Sequence, residues 1–227
     1  MALLPGFGEA SVPMRIRLML AAGFTAVVFP AVSGEIAASA VLSLGAVLIE
    51  AGAGLALGVG FRLFVFALQI AGTIAAQSTS LAQLTGGASP EPLPAMGHLL
   101  TMAGIAVAVA SGLHLQAARA LIVSYEVLPA GRLPEAADLA RWGVGGIARA
   151  FALALSLAAP FVIAALVYNL ALGAINRAMP QLMVAFVGAP AMTFGGLVLL
   201  FLVTPGALAL WQEALAGFGA DPFGAPP

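Results

Sequence analysis

The sequence predicts an all-α, polytopic membrane protein of long kinked helices and helical hairpins. Three observations predict it. Of the 227 residues, 62% are hydrophobic and 7% charged, with mean hydropathy +1.11. Soluble domains carry about 25% charged residues, so this chain cannot cover a globular surface with charge. The apolar residues fall in runs, most of them of span length, about 20 residues or more, separated by short turn-rich stretches. Prolines stand inside two of those runs, at Pro160 and Pro205, and at the far end of another, at Pro30; a kink is predicted at Pro160.

Residues 1–13, MALLPGFGEASVP, are short and turn-rich with no basic leader. A cleavable signal starting at Met14 is the lesser reading, because everything downstream is membrane-like as well. Residues 18–32 form the first apolar run, with Arg15 and Arg17 at its mouth. It is short for a span, so a half-helix or a tilted helix with snorkelling arginines is expected.

Residues 41–84 are the longest run, about twice one span. Glu50 and Arg62 interrupt it, and Gly52, Gly54, Gly58 and Gly60 stud its middle. Gly54 and Gly58 form a GxxxG pair suited to close helix approach. In one straight helix Glu50 and Arg62 lie about 18 Å apart and cannot pair; a bend at the glycines would let them meet. The reading adopted is a hairpin with Arg62 at the interface.

Residues 85–94, TGGASPEPLP, are the clear loop, since two glycines and three prolines do not hold a helix. Residues 99–123 are expected as the next span, with Gly104, Ala108 and Gly112 as a close-packing stripe. Residues 130–146 hold Arg132, Glu135, Asp138, Arg141 and Trp142. They read as a solvated loop or amphipathic helix at an interface, and as the domain boundary. An apolar run over residues 147–172 and another over 192–215 complete the chain, followed by a mobile tail, 217–227.

Between the last two runs lies NLALGAINRAMPQLMVAFVGAP. Pro180 removes a backbone donor and pushes Met179 toward extended geometry. A helix should therefore end near Arg177 and a second begin near Pro190. Arg177 and the amides Asn169, Asn176 and Gln181 are available to satisfy the carbonyls freed at the break, which is tolerated at membrane depth only inside protein or beside water.

Here a family resemblance enters. INRAMPQLMVAFVGAP resembles the signature of the FliR family, flagellar export-gate proteins with type III secretion counterparts. Ile175, Asn176, Arg177, Pro180, Gln181, Phe186, Gly188 and Pro190 occupy its fixed positions in order. Three further blocks are similar. LPGFGEASVPMRIRLMLA matches a segment that a full apolar helix precedes in the family; no such helix stands before it here. GLALGVGFRLFVFALQIAGTIAAQ matches through Gly54, Gly58, Gln69, Ala71, Gly72 and Gln77. SGLHLQAARALIVSYEVLPAG matches through Gly112, His114, Ser124, Leu128, Pro129 and Gly131, with Ser111 in place of the usual asparagine.

The resemblance implies a bacterial inner-membrane protein of the flagellar basal body or injectisome export apparatus. The flagellar system is the one expected. One copy would join FliP-type, FliQ-type and FlhB-type subunits in a helical assembly through which unfolded protein substrates pass. It implies a FliP-like part over residues 1–140 and a FliQ-like helical hairpin over 141–216. It also implies that the loop of Thr85, Gly86, Gly87, Ala88, Ser89, Pro90, Glu91 and Pro92 helps plug the closed channel.

Other chemistry is sparse. Every basic residue is arginine and the net charge is −1, which gives no clustered basic face for nucleic acid. The chain has no cysteine, hence no disulfide, thiolate metal site or cysteine nucleophile. No cofactor, metal spacing or catalytic motif is expected. His98 and His114 would lie about 24 Å apart along one helix. Ser111 and His98 would be about 20 Å apart, so a serine–histidine pairing fails there, and His114 already has a place in the family pattern. The alternative function is a small-solute secondary transporter with discontinuous helices at Pro160 and Pro180. No internal repeat supports it.

Overall fold

The computed structural model describes residues 1–9, 11–39, 43–79, 95–132, 134–179 and 184–224. Among these residues six helices follow in order: α1 Met14–Ser39, α2 Leu44–Thr79, α3 Ala95–Ala110, α4 Leu113–Val127, α5 Ala136–Ala178 and α6 Val184–Ala220. No strand occurs among the described residues. Among the described residues four helices are long and apolar enough to cross a membrane, and α3 with α4 would make a fifth span as a bent pair.

The chain forms two compact units. The first comprises Met1–Phe66, Ile105–Ala150 and Gln212–Pro227; the second comprises Ala67–Gly104 and Phe151–Trp211.

Within the first unit, α1 is longer than the apolar run suggested, because Pro13 and the two arginines sit at its start rather than stopping it. The Nε–H of Arg17 donates to the Val12 carbonyl at 2.8 Å, tying the helix to the loop before it. Pro30 is accommodated inside the helix, where it removes a single backbone bond.

Helix α2 corrects the hairpin reading of residues 41–84. It is one helix of 36 residues, about 54 Å long. Its glycines do not turn the chain: among the described residues the positive-φ glycines are Gly6, Gly112 and Gly131. A glycine in a helix interior costs about 1 kcal/mol but leaves every backbone bond in place.

The expected span over residues 99–123 is also corrected. It is two helices, α3 and α4, bent by 72° at Ser111 and Gly112. Gly112 takes φ +88. That left-handed conformation suits glycine and ends the run of α3. The small-residue stripe is used only in part: Ala108 is buried, while Gly112 makes the break.

Residues 128–132 form a tight turn in which the Arg132 N–H donates to the Pro129 carbonyl at 3.1 Å. Gly131 stands at the third position with φ +74, as a turn with positive φ there requires. The Leu128, Pro129, Gly131 pattern thus has a local physical cause.

The chain end is packed as far as Gly224. Phe218 lies edge-on to Phe61 at 5.0 Å and tilted against Phe64 at 5.5 Å. Its ring occupies the space where a Cβ on Gly60 would stand. The Trp142 indole donates to the Pro222 carbonyl at 2.7 Å and stacks, tilted, on Phe223 at 5.8 Å.

In the second unit the core joins Ala75, Leu100, Phe161 and Leu200, one from each of α2, α3, α5 and α6, with Met96, Leu199 and Val203 packed against them. Helices α2 and α3 meet at Gly72 and Gly97, backbone against backbone. One turn earlier on α2, Leu68 fills the space beside Gly104. The glycine of the ALQIAG block is therefore a contact surface.

Candidate functional site

A chain with so few charges shows its functional sites by how each charge is placed. In the first unit, Glu50 on α2 accepts from the Tyr125 hydroxyl of α4 at 3.0 Å with one carboxylate oxygen. With the other it accepts from the Gly131 backbone N–H at 3.0 Å. Arg62, three turns further along α2, donates to Glu9 of the N-terminal loop at 2.6 Å, with a second, longer contact at 3.5 Å. Glu50 and Arg62 do not pair with each other, as the straight-helix alternative requires. Each is neutralised or satisfied from a different segment, which lowers the cost of an ionisable group in an apolar helix.

At the α3–α4 break, the Ser111 hydroxyl donates back to the Val107 carbonyl at 2.8 Å. Its lone pair accepts from the Gln212 side-chain amide of α6. The freed turn is thus closed by the chain's own side chains. Ser111 and His114 are both exposed, on either side of the break, and Ser111 is engaged with Gln212. Among the described residues no cluster of His, Asp and Glu could hold a metal ion.

The family-motif residues lie at the junction of α5 and α6. Helix α5 ends at Ala178, one residue past Arg177, with the Met179 N–H still donating to Ile175 at 2.9 Å. The helix therefore stops where the approach to Pro180 requires it to. Asn176 and Arg177 are exposed in the last turn, where a cation complements the helix dipole. Pro180 and Gln181 lie outside the described residues. The second helix was expected near Pro190 but begins at Val184. Phe186, Gly188 and Pro190 are thus inside α6 rather than ahead of it. A single proline past the first turn removes one backbone bond and the helix continues on both sides. The loop from Thr85 to Pro92 lies outside the described residues.

Several of these contacts escaped sequence reasoning. Glu9 was not singled out, and its partner is 53 positions away. Gln212 and Pro222 were likewise unread. Only the break at Ser111–Gly112 carried a local signal, since a serine–glycine pair marks turns and kinks.

Long apolar helices, paired charges and short polar closures define a polytopic all-α membrane protein. A family model described as bacterial export proteins, family 1, matches residues 1–218. The flagellar biosynthetic protein FliR of Caulobacter vibrioides is 34% identical over 215 residues, covering 92% of this chain and 86% of the relative. That of Escherichia coli K12 is 28% identical over 206 residues, covering 88% and 78%. The chain belongs to the FliR family of bacterial export proteins. It is a multi-pass protein of the bacterial inner membrane and a component of flagellar biosynthesis.

Proposed function

We propose that this chain is a channel-forming subunit of the flagellar protein export gate, through which unfolded substrates cross the inner membrane. The observation that carries this reading is the family match over residues 1–218 joined to relatives named for flagellar biosynthesis. The helices support it physically. Helix α5, with 43 residues, is about 65 Å long, twice the hydrocarbon thickness of a bilayer. In the apolar stretch of each of the four long candidate spans, only 6% to 33% is buried within the chain itself. Phe194, Leu197, Phe201 and Leu202 of α6 and Ile163, Leu166, Val167 and Leu170 of α5 all face outward. Such surfaces suit sister helices of FliP-type, FliQ-type and FlhB-type subunits as well as lipid. The reading assigns the chain no chemistry of its own.

The division into a FliP-like part, 1–140, and a FliQ-like hairpin, 141–216, is part of the proposal. The succession of α5 and α6 across residues 179–183 supports it. So is the plug role of residues 85–92. A solute transporter would want intramembrane charges free to bind cargo, and Glu50 and Arg62 are each already engaged by the chain itself.

Affinity purification of the full chain from flagellated cells tests the reading. Co-purification with a multi-subunit gate complex is expected. A stable monomer that takes up a small solute in proteoliposomes would overturn it. Deleting residues 86–92 should raise ion leakage across the membrane; unchanged leakage would leave that loop a connector.

A further inference from the structure

We propose that residues 1–9 form a strap that is latched over Gly58 of α2 by the Glu9–Arg62 pair, a conformational device independent of the export reading.

Four observations carry it. The strap is seated on α2 by small contacts: Leu3 fills the space beside Gly58, Leu4 is 5% exposed, and Pro5 is buried. It is tied to itself, the Leu4 N–H donating to Met1 and the Gly8 N–H to Leu4, so it moves as one piece. Gly6 at φ +76 turns it against Ile105 and Val109. Finally, beside the local turn in which the Val12 N–H donates to the Glu9 carbonyl at 2.9 Å, its side-chain polar tie to the rest of the unit among the described residues is the Glu9–Arg62 pair at 2.6 Å.

Arg62 is the one charge between Glu50 and the end of α2. A lone cation in an apolar helix is costly, so its counter-ion is held firmly in place. That counter-ion comes from a loop, not from a neighbouring helix. The seat beneath is imperfect: a cavity of about 40 Å³ lies between the strap and Gly54, Leu57, Phe24 and Ala120. Gly54 has nothing within 4 Å of where its Cβ would be. Of the GxxxG pair predicted to receive a helix, Gly58 is thus covered by the strap while Gly54 is exposed, and the side-chain polar hold of the strap on α2 is one ion pair. With the latch closed Gly58 is occluded; with it released Gly58 is open.

The chain has no cysteine, so one introduced thiol reports one position. Leu4→Cys in the full chain, in native membranes, is labelled with N-ethylmaleimide. Slow labelling is expected, rising about tenfold on adding Glu9→Gln, as for loss of a partly buried charge pair. The swap of Glu9→Arg with Arg62→Glu should restore slow labelling. Leu215→Cys, in the same unit and 1% exposed, serves as the control and should stay protected throughout. Labelling unaffected by Glu9→Gln would overturn the latch, as would Leu215→Cys accelerating in parallel or a swap that fails to restore protection.

Discussion

A Cβ placed on Gly72 would lie 2.3 Å from the Cα of Gly97, so α2 and α3 touch there with no side chain between them. The atom it meets is backbone, which cannot step aside. Gly72→Ala should therefore destabilise the protein by about 1–3 kcal/mol, the range of overpacking. Gly104→Ala clashes with a terminal methyl of Leu68, a side-chain end that can shift, and should cost less. Gly143→Ala, on open helix surface, should stabilise by about 0.5–1 kcal/mol. Thermal unfolding of the detergent-solubilised variants orders the three.

The Glu50 carboxylate makes two hydrogen bonds, so its variants should grade. Tyr125→Phe removes one and should cost about 1 kcal/mol. Glu50→Ala leaves both the Tyr125 hydroxyl and the Gly131 N–H unpaired and should cost about 1–3 kcal/mol. In the double variant Glu50→Ala with Tyr125→Phe, the tyrosine change should add nothing. Additive losses in a thermal double-mutant cycle would show that the pair is not coupled.

Gly112 and Gly131 are required by their backbone angles. Gly112→Ala and Gly131→Ala should each cost about 1–2 kcal/mol, while Asn at either position should be milder. Far-ultraviolet circular dichroism during heating measures this. Equal tolerance of Ala and Asn would mean that the turns can rearrange.

The packed chain end predicts a further loss. Phe218→Ala should uncover Gly60, Phe61 and Phe64 and cost about 3–5 kcal/mol if the site does not collapse. Trp142→Phe keeps the ring against Phe223 but drops the bond to Pro222, and should cost about 1 kcal/mol. Limited proteolysis should cut the Phe218→Ala chain near its C-terminus first.

Arg177→Ala tests the motif at the α5–α6 junction. Fewer assembled gate complexes on native gels are expected, since the exposed arginine lies where freed carbonyls gather. Unchanged complex yield would remove that role.

Much of this architecture was written locally. Composition gave the membrane class, and Pro180 gave the end of α5 to within a residue. Proline and glycine gave less where they stood alone: Pro190 lies within α6, and the glycines of α2 left one helix where a hairpin was expected. At Ser111–Gly112 a similar signal did break the run, because there the backbone adopts positive φ and a side chain from α6 closes the gap.

Chain composition and short-range patterning thus decided that this is a helical membrane protein and where most helices stop, because both follow from backbone chemistry within a few residues. Folding alone decided that Arg62 answers to Glu9, Glu50 to Tyr125 and Gly131, and Phe218 to Gly60. Those partners are separated by 53 to 158 positions, and no periodicity in a uniformly apolar chain distinguishes one distant neighbour from another until the helices are packed.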